Sequence, residues 1–176
     1  MEKTGKFNLR FYFSALTEMV REPGKFFSDL PADIGVKRPL GFLLISGLIY
    51  AAAGLARSMP SDPILLGSIL LVNAVGMTFI TAGIGYMLML MFVRKGVTFL
   101  SFFSVYAFSS GVVLLASWLP FFVWLTEPWK WWLIGTGMIK ALGLRWTQAI
   151  LILVVSFAIV ALLFWSVLPI VLPRVG

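Results

Sequence analysis

PILLGSILLVNAVGMTFITAGIGYMLMLMFV, residues 63–93, runs for 31 residues without one charged side chain. At 1.5 Å per residue a helix of that length is about 46 Å long, whereas the hydrocarbon core of a bilayer is ~30 Å thick. The stretch therefore reads as a membrane span that tilts or projects past the membrane. Working outward, four further apolar segments lie at about 39–56, 97–119, 128–144 and 147–172. The whole chain agrees: 60% of its 176 residues are hydrophobic and 12% charged, with a mean hydropathy of +1.00. Soluble domains carry roughly a quarter charged residues. The sequence thus reads as all-α, a polytopic membrane helical bundle. It has about five transmembrane helices over 39–176, preceded by an amphipathic cytoplasmic segment, 1–38.

Polar punctuation sets the boundaries. Arg57 and the turn SMPSDP close the first span, Arg94-Lys95-Gly96 closes the second, and Pro120 interrupts the third. The fourth segment, PWKWWLIGTGMIKALGL, is short and carries Lys140 near its end, with Trp129, Trp131 and Trp132 marking an interfacial belt. It fits either a short span or a re-entrant segment. With five spans, eleven basic residues fall on the side of the amino terminus and three on the other. If the fourth segment does not cross, the split is ten to four. Either way the positive-inside rule places the amino terminus in the cytoplasm.

That segment holds seven of the fourteen basic residues and five of the seven acids. Phe11, Ala15, Leu16, Met19 and Val20 recur at helical spacing, which predicts a short amphipathic helix on the membrane surface. Pro23-Gly24 breaks it, and Phe26, Phe27 and Leu30 form a second apolar wedge ending at Pro31. Two readings stand open for Arg21, Pro23, Lys25, Phe26 and Phe27. The aromatics pack on the bundle, or the group is a partner or lipid surface whose Arg21 and Lys25 meet anionic headgroups. The net charge of +7 fits positive charge held against anionic lipid, not nucleic acid.

Catalytic chemistry is poorly supplied. The chain has no cysteine and no histidine, so thiolate and imidazole metal sites, disulfides and the commonest general base are excluded. The central parts of the spans contain no Asp or Glu, which speaks against a proton-coupled pump. Arg57 and Lys140 lie near span ends, where long stems snorkel to water. GTGMIKALG, 135–143, fails the dinucleotide-loop pattern because Lys140 stands where a glycine is needed. No enzyme activity and no cofactor are expected. The unusual polar residue is Asn73, which shares one helix face with Gly76, Ile80 and Gly83. That face serves either helix packing, with Gly47, Ala51 and Gly54 of the first span opposite it, or a cavity.

The order of segments also carries a resemblance. REPGKFF, 21–27, resembles the element that opens bacterial members of the Yip family. VTFLSFFSVYAFSSGVVLLASWLP, 97–120, is similar to the family's third span, and LIGTGMIKALGLRWTQAILI, 133–152, to its short fourth helix, basic turn and start of the fifth. The resemblance implies an integral protein, here of the bacterial inner membrane. Eukaryotic members contact prenylated Rab-type GTPases. This chain has GVKRPLGF, 35–42, in place of their Asp-Leu-Tyr-Gly-Pro element and Gly111 in place of a proline, so that role is not carried over. The expected function is a non-enzymatic scaffold or adaptor organising membrane partners or lipid, with lipid, a second copy or another membrane protein as partner. The alternative is a component of small-solute or lipid transport, with Asn73, Thr78, Thr81 and the break at Pro120 along its pathway.

Overall fold

The computed structural model describes residues 8–31, 34–93, 96–117 and 123–171, which form seven helices and no strand. They are α1 (Leu9–Arg21), α2 (Pro23–Ser28), α3 (Lys37–Ser58), α4 (Pro63–Phe92), α5 (Phe99–Ser117), α6 (Val123–Lys140) and α7 (Trp146–Val171). Arg94, Lys95, the break at Pro120 and Leu172 lie outside the described residues.

Local chemistry explains the boundaries. Asn8 Oδ1 accepts from the Phe11 amide at 2.7 Å and caps α1. Glu22, with φ −140° and ψ 65°, leaves the helical conformation as the residue before Pro23, and Pro23 then occupies the first turn of α2, where its missing N–H costs nothing. Asp62 Oδ1 caps α4 through the Leu65 amide at 3.0 Å, again with a proline at the helix start. Thr98 Oγ1 accepts from the Ser101 amide at 3.2 Å at the start of α5. Gly143, with φ of 62°, reverses the chain between α6 and α7.

Four helices, α3, α4, α5 and Trp146–Ser166 of α7, are long and apolar enough to cross a membrane. The fourth expected segment differs in extent. It is one continuous helix from Val123 to Lys140, beginning before Trp129 and ending before Leu144. Its 18 residues span about 27 Å, and it carries three charged residues, Glu127, Lys130 and Lys140. Pro128 is tolerated in its second turn, where only the carbonyl of Trp124 loses its N–H partner.

The central helix is α5, packed by α3, α4 and α6 with the α1–α2 hairpin at its flank. Its residues 102–109 are all buried. By contrast, α4 and α7 expose Ile64, Val72, Met87, Phe157, Leu162 and Trp165, as helices facing lipid do.

Two aromatic clusters hold the centre. Phe108 of α5 meets Phe26 at 5.1 Å and Phe42 at 5.2 Å, and Phe42 meets Tyr12 at 4.9 Å. Phe102 meets Tyr106 at 5.3 Å and Tyr86 at 5.7 Å. α5 lies close against α3 at Gly111, where a Cβ would lie 2.7 Å from the Phe42 ring.

Candidate functional site

Helix α7 rests on α4 and α6 and, among the described residues, barely meets α5. That arrangement leaves a cleft of about 380 Å³ between α4, α5, α6 and α7, with Tyr50 of α3 also lining it. The volume falls within the ~300–1,000 Å³ of ordinary ligand sites. Met77, Val113, Leu114, Ile134, Phe157 and Val160 make its wall apolar.

Polar groups reach it from four helices, Tyr50 of α3 among them. Asn73, Thr78 and Thr81 come from α4; Tyr106, Ser110 and Ser117 from α5; Glu127 and Lys130 from α6. The α5 residues follow i, i+4, i+11 spacing, so one face of the helix looks into the cleft. At the mouth, Lys130 Nζ donates to Glu127 Oε1 at 2.7 Å and lies 5.7 Å from the Trp131 ring centre. Several hydroxyls bond back onto their own helices: Thr78 to the Ala74 carbonyl at 2.9 Å, Thr81 to Met77 at 2.8 Å, and Ser117 to Val113 at 2.8 Å. Such a lining offers hydrogen bonds along an apolar wall.

The residues singled out from the sequence divide. Asn73 lines the cleft together with Thr78 and Thr81. Gly76 and Gly83 do not make the expected helix contact, because a Cβ at either would meet nothing within 4 Å. The buried face of α4 is instead Ala74, Thr78, Ala82, Gly85, Leu88 and Met89. Spans one and two do pack together as α3 and α4, but through leucines of α4 laid over glycines of α3: Leu71 lies 3.0 Å from a Cβ built on Gly47, and Leu70 lies 2.8 Å from one on Gly54.

The 20–31 segment also divides. Arg21 and Lys25 are exposed, Pro23 is half-buried, and Phe26 and Phe27 are fully buried. Phe26 sits edge-on to Phe108, and Phe27 covers Gly137 of α6. The two phenylalanines are therefore anchors of the hairpin, not part of an open surface. The reason is geometric: Pro23 turns α2 back across α5 and α6, which brings both rings to the bundle.

Sequence reasoning passed over Tyr106, Ser110, Glu127 and Lys130. The signal for the first two was available, since Tyr106, Ser110, Val113 and Ser117 form a stripe at helical spacing. Glu127 and Lys130 become significant only when α6 packs beside α5.

A family model described as the Yip1 domain matches residues 17–168. No curated protein and no solved structure matches the chain. The matched region begins within α1 and ends within α7, taking in the end of α1, all of α2, the central helix and the whole cleft lining. The chain therefore belongs to the Yip1 domain family.

Proposed function

We propose that this Yip-family membrane protein is not an enzyme and that it binds a membrane amphiphile in the α4–α7 cleft, organising or passing on lipid. The observation that carries this reading is the cleft itself: an apolar wall within the membrane, a polar stripe along its depth, and a charged pair with tryptophan at its mouth. An amphiphile matches both kinds of lining, whereas a polar solute would leave most of the wall unsatisfied.

Purified protein in nanodiscs, examined by native mass spectrometry, tests this. Retained lipid that is lost on Asn73→Leu or on the cleft-filling Ser110→Phe supports the reading. Retention untouched by both variants overturns it.

A second reading, a scaffold or adaptor, is favoured by the outward face of α1. Leu9, Phe13 and Val20 are exposed there beside Arg10, Arg21 and Lys25. A protein partner or defined homo-oligomer retained in the same experiment, and lost on replacing Leu9 and Phe13, would favour it.

A further inference from the structure

Glu127 and Lys130 differ from the other charged side chains in lining the cleft. Beyond the first 33 residues the chain has two acids, Asp62 and Glu127. Asp62 caps α4 through the Leu65 amide. Glu127 has Lys130 one turn further along α6, and both face the cleft. With Trp131 and Ile134 they follow i, i+3, i+4, i+7 spacing, so one face of α6 sets the two charges against the apolar wall. Among the described residues no other charged side chain lines it.

Tryptophan sets the depth of the pair. Trp124, Trp129, Trp131 and Trp132 flank it along α6, and tryptophan gathers where hydrocarbon gives way to water. Ser117 Oγ and Thr126 Oγ1 are 3.5 Å apart, so the end of α5 meets α6 beside Glu127. Tyr106 lies eleven residues earlier on α5, about 16 Å along its axis, and also lines the cleft. A largely apolar space thus runs inward from a charged pair, the layout of an acyl chain below its headgroup.

Charge narrows what that headgroup is. Lys130 Nζ donates to Glu127 Oε1 at 2.7 Å. Capacity is left on both sides, because an ammonium has three donors and a carboxylate accepts about four hydrogen bonds. The side chains are 24% and 46% exposed, and exposed ion pairs add little to stability, so a ligand bridges them at small cost. An anionic headgroup would gain Lys130 but meet the like charge of Glu127. An uncharged one would leave the attraction of both charges unused. A headgroup carrying both signs matches both members at once. A primary ammonium suits the carboxylate better than a quaternary one, which has no N–H to donate.

We infer that the cleft takes a zwitterionic phospholipid of the phosphoethanolamine class. Its phosphate meets Lys130, its ammonium meets Glu127, and its hydrocarbon lies along the Met77, Val113, Phe157 and Val160 wall. This rests on the reading of the cleft as an amphiphile site.

The test uses the full chain in nanodiscs of equal parts dioleoylphosphatidylcholine, dioleoylphosphatidylethanolamine and anionic dioleoylphosphatidylglycerol. Native mass spectrometry reads the retained lipid, and the cleft-bound fraction is the part lost on Ser110→Phe. Asn73→Leu takes its place as the blocking variant should Ser110→Phe lower the thermal midpoint. In the wild type the cleft-bound fraction should be enriched in phosphatidylethanolamine about tenfold, the scale of a hydrogen bond between charged groups. Glu127→Gln should remove that enrichment. Glu127→Lys places two cations at the mouth and should turn the preference to phosphatidylglycerol, a reversal that a merely structural residue would not produce. A cleft-bound fraction with the composition of the bilayer, or one enriched in phosphatidylcholine or phosphatidylglycerol, overturns the inference but leaves the cleft as an amphiphile site. An enrichment that Glu127→Lys leaves unchanged does the same. Retention that neither blocking variant affects removes both readings.

Discussion

Replacing Phe26 and Phe27 with serine should release the α1–α2 hairpin while the membrane-spanning helices stay folded. Both rings are fully buried, in contact with each other at 5.4 Å and with Phe108 and Gly137 of the bundle. Emptying a close-packed phenylalanine site costs about 3–5 kcal/mol. The two effects are not additive because the rings share a contact, but a total near 6 kcal/mol is a fair lower figure for the pair. A shift of about 5.5 kcal/mol turns a 99:1 population into 1:99. The remaining anchors are the Tyr12–Ser46 hydrogen bond at 3.1 Å, the Tyr12–Phe42 contact and the burial of Ala15 and Met19. Because the released hairpin enters water or headgroups, hydrophobic burial counts fully for it, unlike helix contacts within lipid. The assay is trypsin digestion in nanodiscs. Arg21 and Lys25 are exposed but helical in the docked hairpin, so cleavage there should accelerate strongly, leaving the chain from α3 onward intact. Cleavage at the wild-type rate would refute the reasoning.

Other expectations concern packing and polar pairing. Gly111→Val should lower the thermal midpoint in detergent by an amount equivalent to about 1–3 kcal/mol, since the new side chain runs into Phe42 with Ser46 behind it. Gly76→Ala and Gly83→Ala meet open space and should be neutral or gain up to ~1 kcal/mol from helix propensity; a loss at either would restore the glycine-packing reading. Tyr12→Phe orphans the buried Ser46 hydroxyl and should cost about 1–3 kcal/mol. Adding Ser46→Ala should recover much of that, a non-additivity readable in a double-mutant cycle by chemical denaturation. Lys130→Met breaks a half-exposed pair with Glu127 and should change the midpoint by less than about 1 kcal/mol. A large loss would mean the pair is an element of the fold.

Much of the architecture is legible in composition and punctuation. Runs of twenty or more apolar residues become helices wherever water is absent, because the backbone must then satisfy its own hydrogen bonds. Pro23-Gly24, Asp62-Pro63 and Gly143 end or begin helices for reasons carried by those residues themselves. What the residues do not announce is rotation about the helix axis. α4 is apolar all round, so nothing in its pattern separates the Ala74–Thr78–Ala82–Gly85 face, which is buried, from the Asn73–Gly76–Gly83 face. Shape complementarity with α3 and α5 makes that choice.

The membrane class, the helical elements and the amphipathic hairpin were thus determined by the sequence alone, since each follows from local hydrophobicity and turn chemistry. Only the tertiary structure decided that Phe26 and Phe27 are anchors, that α6 packs against α5, and that Tyr106 lines a cleft with Asn73. These are relations between residues tens of positions apart, and they arise from how the hairpin packs on α5 and α6 and how α7 leans on α4 and α6. Helix rotation and tilt in a bilayer are set by packing against neighbours, not by apolarity, which every face of these helices shares.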